Sequence, residues 1–245
     1  MSSTGDVIDP SDRVKDLGVI MSNDCSFTFH IDEVISKVNK MVSWALRNFK
    51  CRSKLFILTI WKSILLPHLD YCSQLWSPLK VADINRLELV QKCFLKKMNC
   101  YDNVSYWDML KDLGLYSLQR RRERYRAIYL WSILECLVPN PKPNQIFGKF
   151  HPRHGRSCHV PLIRCNGHQK TLGSSFSVRS AQIFNSLPKE LRDMSDCSKD
   201  AFKNCLDNFL RTVPDKPQIT GYTSFKRAES NSIIDMVNLS SYTAI

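Results

Sequence analysis

The feature that most constrains the fold of this chain is a long helical periodicity that starts after Phe27. Apolar side chains recur there at i, i+3, i+4 and i+7 over about five turns, which predicts an amphipathic helix. Its apolar stripe consists of Ile31, Val34, Ile35, Val38, Met41, Val42, Ala45, Leu46 and Phe49. Four cations lie off this stripe, namely Lys37, Lys40, Arg47 and Lys50. We expect these four side chains on the solvent-exposed face.

Turn-forming and helix-capping residues indicate where the other elements of the N-terminal half begin and end. The β-branched segment 14–21, followed by a turn-like Ser-Asn-Asp, predicts a short β-strand or hairpin before the long helix. Ser53 is the expected N-cap of a second helix that reaches about Leu66, and Pro67 either interrupts this helix or starts the next turn. Asp83 is the expected N-cap of a third helix that reaches about Met98.

Capping and helix-ending residues also predict the bounds of the helices in the C-terminal half. A short helix begins after Ser105 and ends at Gly114, and Ser117 caps a helix to about Leu137. A segment at 180–187 is expected to be helical, and Ser198 caps an amphipathic helix. The stripe of that helix holds Phe202, Cys205, Leu206, Phe209, Leu210 and Val213. We expect irregular structure with a small β-element at 151–180, and a largely disordered tail after Pro214. The predicted fold class is therefore mainly α.

The net charge of +12 is concentrated in the middle of the chain. Residues 141–180 hold seven basic side chains and no acidic one, so a polyanion is the expected partner. The alternative is that a pI of 9.3 belongs to many proteins that bind no nucleic acid. The sequence has no export signal and no apolar run of membrane length, which predicts an intracellular protein (nuclear or cytoplasmic) without a membrane partner and with reduced cysteines.

Five arginines crowd the start of the helix that follows Ser117, with only Glu123 among them. They are Arg120, Arg121, Arg122, Arg124 and Arg126. Like charges at helical spacing repel unless an anion relieves them, and the planar guanidinium fork suits phosphate. These arginines are the first candidates for phosphate contact. The alternative is salt bridges to Asp108, Asp112 or Glu135.

A second cluster contains residue types that bind zinc, but its spacing matches no standard finger. Its members are His151, His154, Cys158, His159, Cys165 and His168. Neighbouring arginines oppose a bound cation, so a basic loop is the preferred interpretation and no metal is expected. No phosphate-binding glycine loop, dinucleotide fingerprint or Gly-x-Ser-x-Gly motif occurs. The sequence therefore predicts no cofactor and no small-molecule substrate.

Seven segments in a fixed order resemble the reverse transcriptases of non-LTR (LINE-type, jockey-like) retrotransposons. They are Val14–Val19, Phe27–Ile31, Leu65–Cys72 with Trp76–Pro78, Ile84–Gln91, Leu113–Arg122, Phe184–Pro188 and Phe202–Leu210. They cover about residues 12–213, and Phe184 departs from the family, which usually has Trp there. The resemblance implies remnants of the last palm strands at 1–25 and a helical thumb with the following helices at 26–138. It also implies a basic post-polymerase region at 139–213 and a tail at 214–245, and the prolines at 139, 141 and 143 mark the internal boundary.

The resemblance also implies a chain without polymerase activity of its own. In the family, an aromatic-x-Asp-Asp motif that binds the two catalytic metal ions precedes the Lys-Asp-Leu-Gly-Val strand, and it is missing here. The upstream endonuclease is missing too. We therefore expect a non-catalytic fragment that at most binds the backbone of RNA or an RNA–DNA hybrid. The alternative is a protein-interaction module that self-associates through an apolar face normally packed on the palm, formed by Trp44, Phe56, Trp61, Leu65 and Trp76.

Overall fold

The computed structural model describes residues 11–78, 80–99, 101, 103–138, 155–158, 175–217 and 231–242. Within them, the chain is mainly helical with one short antiparallel hairpin near the N-terminus, which confirms the predicted fold class. The chain divides into two compact units, the first ending at Met98 and the second starting at Asn99. None of the described helices has the length and apolarity required to cross a membrane.

Unit 1 begins with the hairpin of β1 (Arg13–Asp16) and β2 (Val19–Ser22). The strands are antiparallel, with Val14 opposite Met21. Leu17 and Gly18 join them with φ angles of 45° and 83°, the left-handed backbone that a two-residue hairpin turn requires. The segment predicted at 14–21 as a strand or hairpin is thus a two-stranded hairpin.

The helices of unit 1 are α1 (Thr28–Asn48), α2 (Lys54–Ile60), α3 (Leu66–Asp70), α4 (Ser73–Trp76) and α5 (Val81–Leu95). Helix α1 buries Ile31, Val34, Val38 and Ala45 and packs against α3 and α5, as its periodicity predicts. Ser53 caps α2 by accepting a hydrogen bond from the Phe56 N–H at 3.4 Å.

Of the two alternatives for Pro67, the structure confirms that it starts the next turn. Pro67 lies in the first turn of α3, directly after a π-helical turn at Trp61–Leu65. The predicted cap of the following helix is wrong. Helix α5 begins at Val81 with Lys80 as N-cap, so Asp83 lies in the first turn. There Asp83 pairs with Arg86 at 3.2 Å.

The predicted exposed apolar face is only partly present in unit 1. Trp61, Leu65 and Trp76 are at most 1% exposed, and Trp61 stacks on Phe94 with ring centroids 5.9 Å apart. These side chains therefore fill the unit's own core. The prediction that they lack a partner is wrong, because α1, α5 and the π-helical turn enclose them; only Trp44 is substantially exposed, at 49%.

Unit 2 contains α6 (Tyr106–Leu113), α7 (Leu118–Leu134), α8 (Phe176–Ser186), α9 (Lys189–Arg192), α10 (Lys199–Thr212) and α11 (Ile233–Tyr242). Ser117 and Ser198 accept hydrogen bonds from the N–H groups of Arg120 and Ala201, each at 3.1 Å, which confirms both caps. Ser105 precedes α6 without a side-chain cap. Gly114 ends α6 at φ 60°, as expected.

The core of unit 2 lies between α7, α8 and α10. Trp131 of α7 stacks on Phe202 of α10 with centroids 4.5 Å apart and planes 6° from parallel. Helices from both sides of the predicted boundary therefore share one core, although the prolines at 139–143 and most of 151–174 lie outside the described residues. The prediction of a disordered tail is wrong for 231–237, because Ile233 is fully buried and Met236 is 4% exposed.

Candidate nucleic-acid interface

The outward face of α1 carries a shallow groove of about 530 Å³. Its lining is Asp32, Ile35, Ser36, Asn39, Lys40, Ser43 and Arg47. The helical repeat places these residues opposite the buried stripe, so the groove follows from the same periodicity that forms the core. Lys40 and Arg47 lie two turns apart, about 10 Å along the axis.

Apart from Asp32, the residues that line the groove belong to a stretch of sequence that contains no carboxylate. From Val34 to Leu69 the chain has no Asp or Glu and seven Lys or Arg side chains. The two carboxylates of α1 lie in its first two turns, and each already has a cation from another element: Asp32 pairs with Arg86, and Glu33 pairs with Lys15 at 2.7 Å. The positive field of the rest of α1 is therefore not neutralised from within this stretch.

The four cations predicted on this face are all exposed: Lys37, Lys40, Arg47 and Lys50. Within the described part of the chain, none of them forms an ion pair with a carboxylate. Arg47 is exposed and donates from Nε to the Ser43 carbonyl at 3.2 Å. Burial lowers the pKa of His68, and the nearby charge of Lys37 lowers it further, so His68 adds no charge near neutral pH.

Three aromatic side chains lie beside these cations. Trp44 is 49% exposed and Phe49 is 39% exposed, and their rings meet edge to face with centroids 5.9 Å apart. Phe56 contacts Phe49 in the same way at 5.4 Å. Trp44 is four residues after Lys40 and three before Arg47, so it shares the α1 surface with both. We call Lys37, Lys40, Trp44, Arg47, Phe49, Lys50 and Phe56 together the basic aromatic surface.

Arg52 fixes one end of this surface. Its guanidinium donates to the carbonyls of Phe49 at 2.5 Å, Cys51 at 3.0 Å and Leu46 at 3.0 Å. A cation at the C-terminus of a helix satisfies carbonyls that have no partner within the helix and interacts favourably with the helix dipole. Arg52 is thus a structural cap that holds Phe49 in place.

The arginines of α7 do not form the predicted phosphate-binding face. Arg120, Arg122 and Arg126 are 0%, 4% and 3% exposed, because the partners of α7 enclose it on most sides. Arg120 donates to the carbonyls of Val213 at 3.3 Å and Pro214 at 2.7 Å.

The other two arginines of this group also have partners within the protein. Arg124 forms a bidentate pair with Asp207 on α10. Arg121 is half-buried, with its guanidinium 5.0 Å from the ring centroid of Tyr125. The five arginines therefore do not present a common surface to a polymer.

Most of the weak zinc candidates lie outside the described residues: His151, His154, His159, Cys165 and His168. Cys158 is described and buried, with its backbone N–H and carbonyl both hydrogen-bonded to the Asn185 side chain, at 2.8 and 2.7 Å. Burial raises the pKa of its thiol to about 12, which keeps the sulfur protonated and a poor metal ligand. Among the described residues, no three ligand side chains cluster.

The sequence predicts the exposed cations of this surface but assigns its aromatic residues elsewhere. It assigns Trp44 and Phe56 to a face that packs on the palm, and Phe49 to the apolar stripe of the long helix. The alternation of aromatic and basic residues at Trp44, Arg47, Phe49 and Lys50 was the available sequence signal.

No family model, no curated protein and no solved structure matches this chain.

Proposed function

We propose that this chain binds nucleic acid without sequence specificity through the basic aromatic surface of unit 1. The observation that carries the proposal is the segment 34–69, which has seven Lys or Arg side chains and no Asp or Glu. The four of these cations that lie on or next to α1, namely Lys37, Lys40, Arg47 and Lys50, are exposed. Lys and Arg that neutralise phosphates release condensed counterions, and this supplies the sequence-independent part of binding.

The exposed aromatic side chains favour single-stranded segments. A base stacked on an aromatic ring contributes about 1–3 kcal/mol, and any base can do so because each has a π-face. Trp44, placed between Lys40 and Arg47, is the ring we assign to this contact. RNA, or the single-stranded part of an RNA–DNA hybrid, is the proposed ligand.

The resemblance to non-LTR reverse transcriptases agrees with this role. We propose that the chain corresponds to the thumb and post-polymerase part of such an enzyme, and that its own activity is binding without catalysis. The 245 residues contain no Asp-Asp dipeptide, so they provide no aromatic-x-Asp-Asp motif for two metal ions. A primer–template with nucleotides and magnesium is expected to give no extension with the pure chain.

Fluorescence anisotropy with a labelled single-stranded RNA tests the proposal. We expect micromolar or tighter binding at about 50 mM salt, with affinity that falls steeply as salt rises. The double variant Lys40→Gln/Arg47→Gln should weaken binding and reduce the slope of log K against log salt by about 1.5, since two phosphate contacts are lost.

The matched control is Lys199→Gln/Arg211→Gln, which removes two exposed cations from α10 of unit 2. Its affinity and salt slope should remain those of the parent. No binding at micromolar protein, or equal losses in the two double variants, would contradict the proposal.

A second candidate function is protein–protein interaction, favoured by three exposed apolar side chains of unit 1: Leu55 (78%), Trp44 (49%) and Phe49 (39%). Trp44→Ala separates the two. Loss of RNA affinity in a variant that stays monomeric supports the stacking role. A discrete oligomer of the parent that Trp44→Ala dissociates, with RNA affinity unchanged, supports self-association.

A further inference from the structure

A buried histidine joins the N-terminal hairpin to the long helix of unit 1. His30, in the first turn of α1, is 4% exposed. Its Nδ1 atom accepts a hydrogen bond from the backbone N–H of Ile20 on β2, at 3.4 Å. Its ring meets Trp76 of α4 edge to face, with centroids 5.1 Å apart. The imidazole is therefore enclosed by the hairpin, its own helix and α4.

The direction of the hydrogen bond determines which form of the imidazole fits this position. A backbone N–H can only donate, so Nδ1 of His30 must carry a lone pair. The proton of the neutral ring then lies on Nε2, which is buried and has no hydrogen-bond partner among the described residues. A protonated ring would carry a second hydrogen on Nδ1, directed at the Ile20 N–H. The docked hairpin thus accommodates neutral histidine and excludes the charged form.

Two charged side chains face His30, namely Glu33 of α1 and Lys15 of β1, and they pair with each other at 2.7 Å. Burial has the largest effect and lowers the pKa of His30 below its ordinary value of 6.5. The Glu33 carboxylate raises this pKa and the Lys15 ammonium lowers it, so the two charges act in opposite directions. The contacts from β2 and α4 are the Ile20 N–H and the Trp76 ring, and neither titrates near neutral pH.

Two other polar contacts between the hairpin and the helices do not change in weak acid. The hydrogen bond from Lys15 lowers the pKa of Glu33 below 4.5, so this ion pair persists at pH 5. The Tyr71 hydroxyl donates to the Leu17 carbonyl at 2.8 Å, and the pKa of that phenol is raised above 10.0. Of these three contacts, only the one at His30 responds to pH between 5 and 7.

We propose that the contact between His30 and Ile20 is a pH-sensitive latch, which holds the hairpin on α1 while the imidazole is neutral and releases it on protonation. Histidine is the side chain whose charge ordinarily changes between pH 5 and 8. Because docking favours the neutral ring, it is strongest above pH 6.5 and weakens as the pH falls below that value. The latch uses no residue of the basic aromatic surface, so it is independent of the proposed function.

Hydrogen–deuterium exchange of the full chain at pH 7.0 and 5.0, followed by mass spectrometry, tests the latch. Exchange times are scaled for the intrinsic pH dependence of amide exchange, so that a remaining difference reports local opening. Peptides that cover 13–22 should show hairpin opening that increases by up to about 25-fold at pH 5.0, since histidine in the open state has its ordinary pKa of 6.5. Peptides of α5 should keep their protection.

Three variants separate the histidine from its neighbours. His30→Asn keeps an acceptor near the position of Nδ1 and cannot be protonated, so its hairpin should open equally at both pH values. His68→Gln is the matched control, because it removes another unit 1 histidine whose pKa burial lowers, and it should keep the full change of the parent. Lys15→Gln removes the ion pair, so it should increase opening at both pH values and keep the pH dependence.

A nuclear magnetic resonance titration of the parent's His30 imidazole decides the case if His30→Asn does not fold. A pKa below 6.5 with the neutral proton on Nε2 supports the latch, whereas a pKa of 6.5 or higher, or a proton on Nδ1, overturns it. Equal hairpin opening of the parent at both pH values, or an unchanged pH response in folded His30→Asn, also overturns the proposal. Equal loss of protection in α5 at pH 5.0 would show global unfolding and overturn a local latch.

Discussion

Arg124 and Asp207 join α7 to α10 through two parallel hydrogen bonds, with Nε and one terminal nitrogen donating to the two carboxylate oxygens at 2.5 and 2.7 Å. The side chains are 15% and 24% exposed, so water screens the pair only in part. Tyr116 also donates to Asp207 at 3.2 Å, and burial raises the pKa of that phenol to about 12. The pair therefore fixes the relative position of two core helices.

Asp207→Asn is expected to lower the free energy of unfolding by about 2 kcal/mol, because it leaves the Arg124 guanidinium half-buried without its counter-charge. Chemical denaturation followed by circular dichroism measures the change. Asp200→Asn is the control, since Asp200 is 83% exposed in its pair with Lys203 and the loss should stay below about 0.5 kcal/mol. Equal losses in the two variants would show that the bidentate geometry contributes nothing.

Phe202→Ala is expected to cost about 3–5 kcal/mol, because it removes a fully buried ring stacked on Trp131 and leaves a cavity. Cys205→Ala, one turn along α10 on its exposed side, should change stability by less than about 0.5 kcal/mol. Urea unfolding of the two variants gives both values. A small effect at Phe202 would contradict the proposed core of unit 2.

Gly155→Ala should be more destabilising than Gly114→Ala. Both glycines have positive φ angles, 71° and 60°, so both variants incur backbone strain of about 1 kcal/mol. Only at Gly155 would the added Cβ also lie 2.5 Å from Asp193 Oδ1, which accepts the Arg156 N–H. We expect Gly155→Ala to lose about 1–2 kcal/mol more in denaturant unfolding. The reverse order would contradict the described contact.

Cys158 makes unit 2 sensitive to alkaline pH. The pKa of its thiol is about 12 in the folded protein and 9.0 in its ordinary state. The fold therefore favours the protonated thiol, and this contribution is complete below pH 9 and is lost as the pH rises towards 12. Between pH 8 and 10.5 the parent should lose about 2 kcal/mol more than Cys158→Ala. Identical pH dependence in the two proteins would exclude this buried thiol as the cause.

The sequence predicted correctly those elements that are determined by residues close to one another along the chain. The caps at Ser53, Ser117 and Ser198 depend only on the next three residues, and the stripe of α1 depends only on its own repeat. The exposed cations of the basic aromatic surface followed from that stripe. The hairpin turn at Leu17 and Gly18 was less evident, because Leu rarely adopts a positive φ.

Features that depend on distant partners were not predictable. The arginines of α7 appeared solvent-exposed because their burial comes from α8, α10 and α11, and Arg124 meets Asp207 across 83 residues. Likewise, Trp61 and Trp76 become buried only when α1, α5 and the π-helical turn pack together. The exposure of the α1 cations was thus predictable because it follows one helix, whereas the burial of the α7 arginines was not.

The hydrogen bonds around Ser117 have a consequence for how the chain folds during translation. Ser117 bonds Asp215 and Asn231, which follow it by 98 and 114 residues, and Glu123 bonds Ile233, 110 residues later. By contrast, the side-chain hydrogen bonds described within unit 1 span at most 54 residues. Contacts that are distant in sequence form late, because they wait for the second partner to leave the ribosome. We therefore expect unit 1 to reach its native structure on the nascent chain while α7 still lacks the partners that bury its arginines.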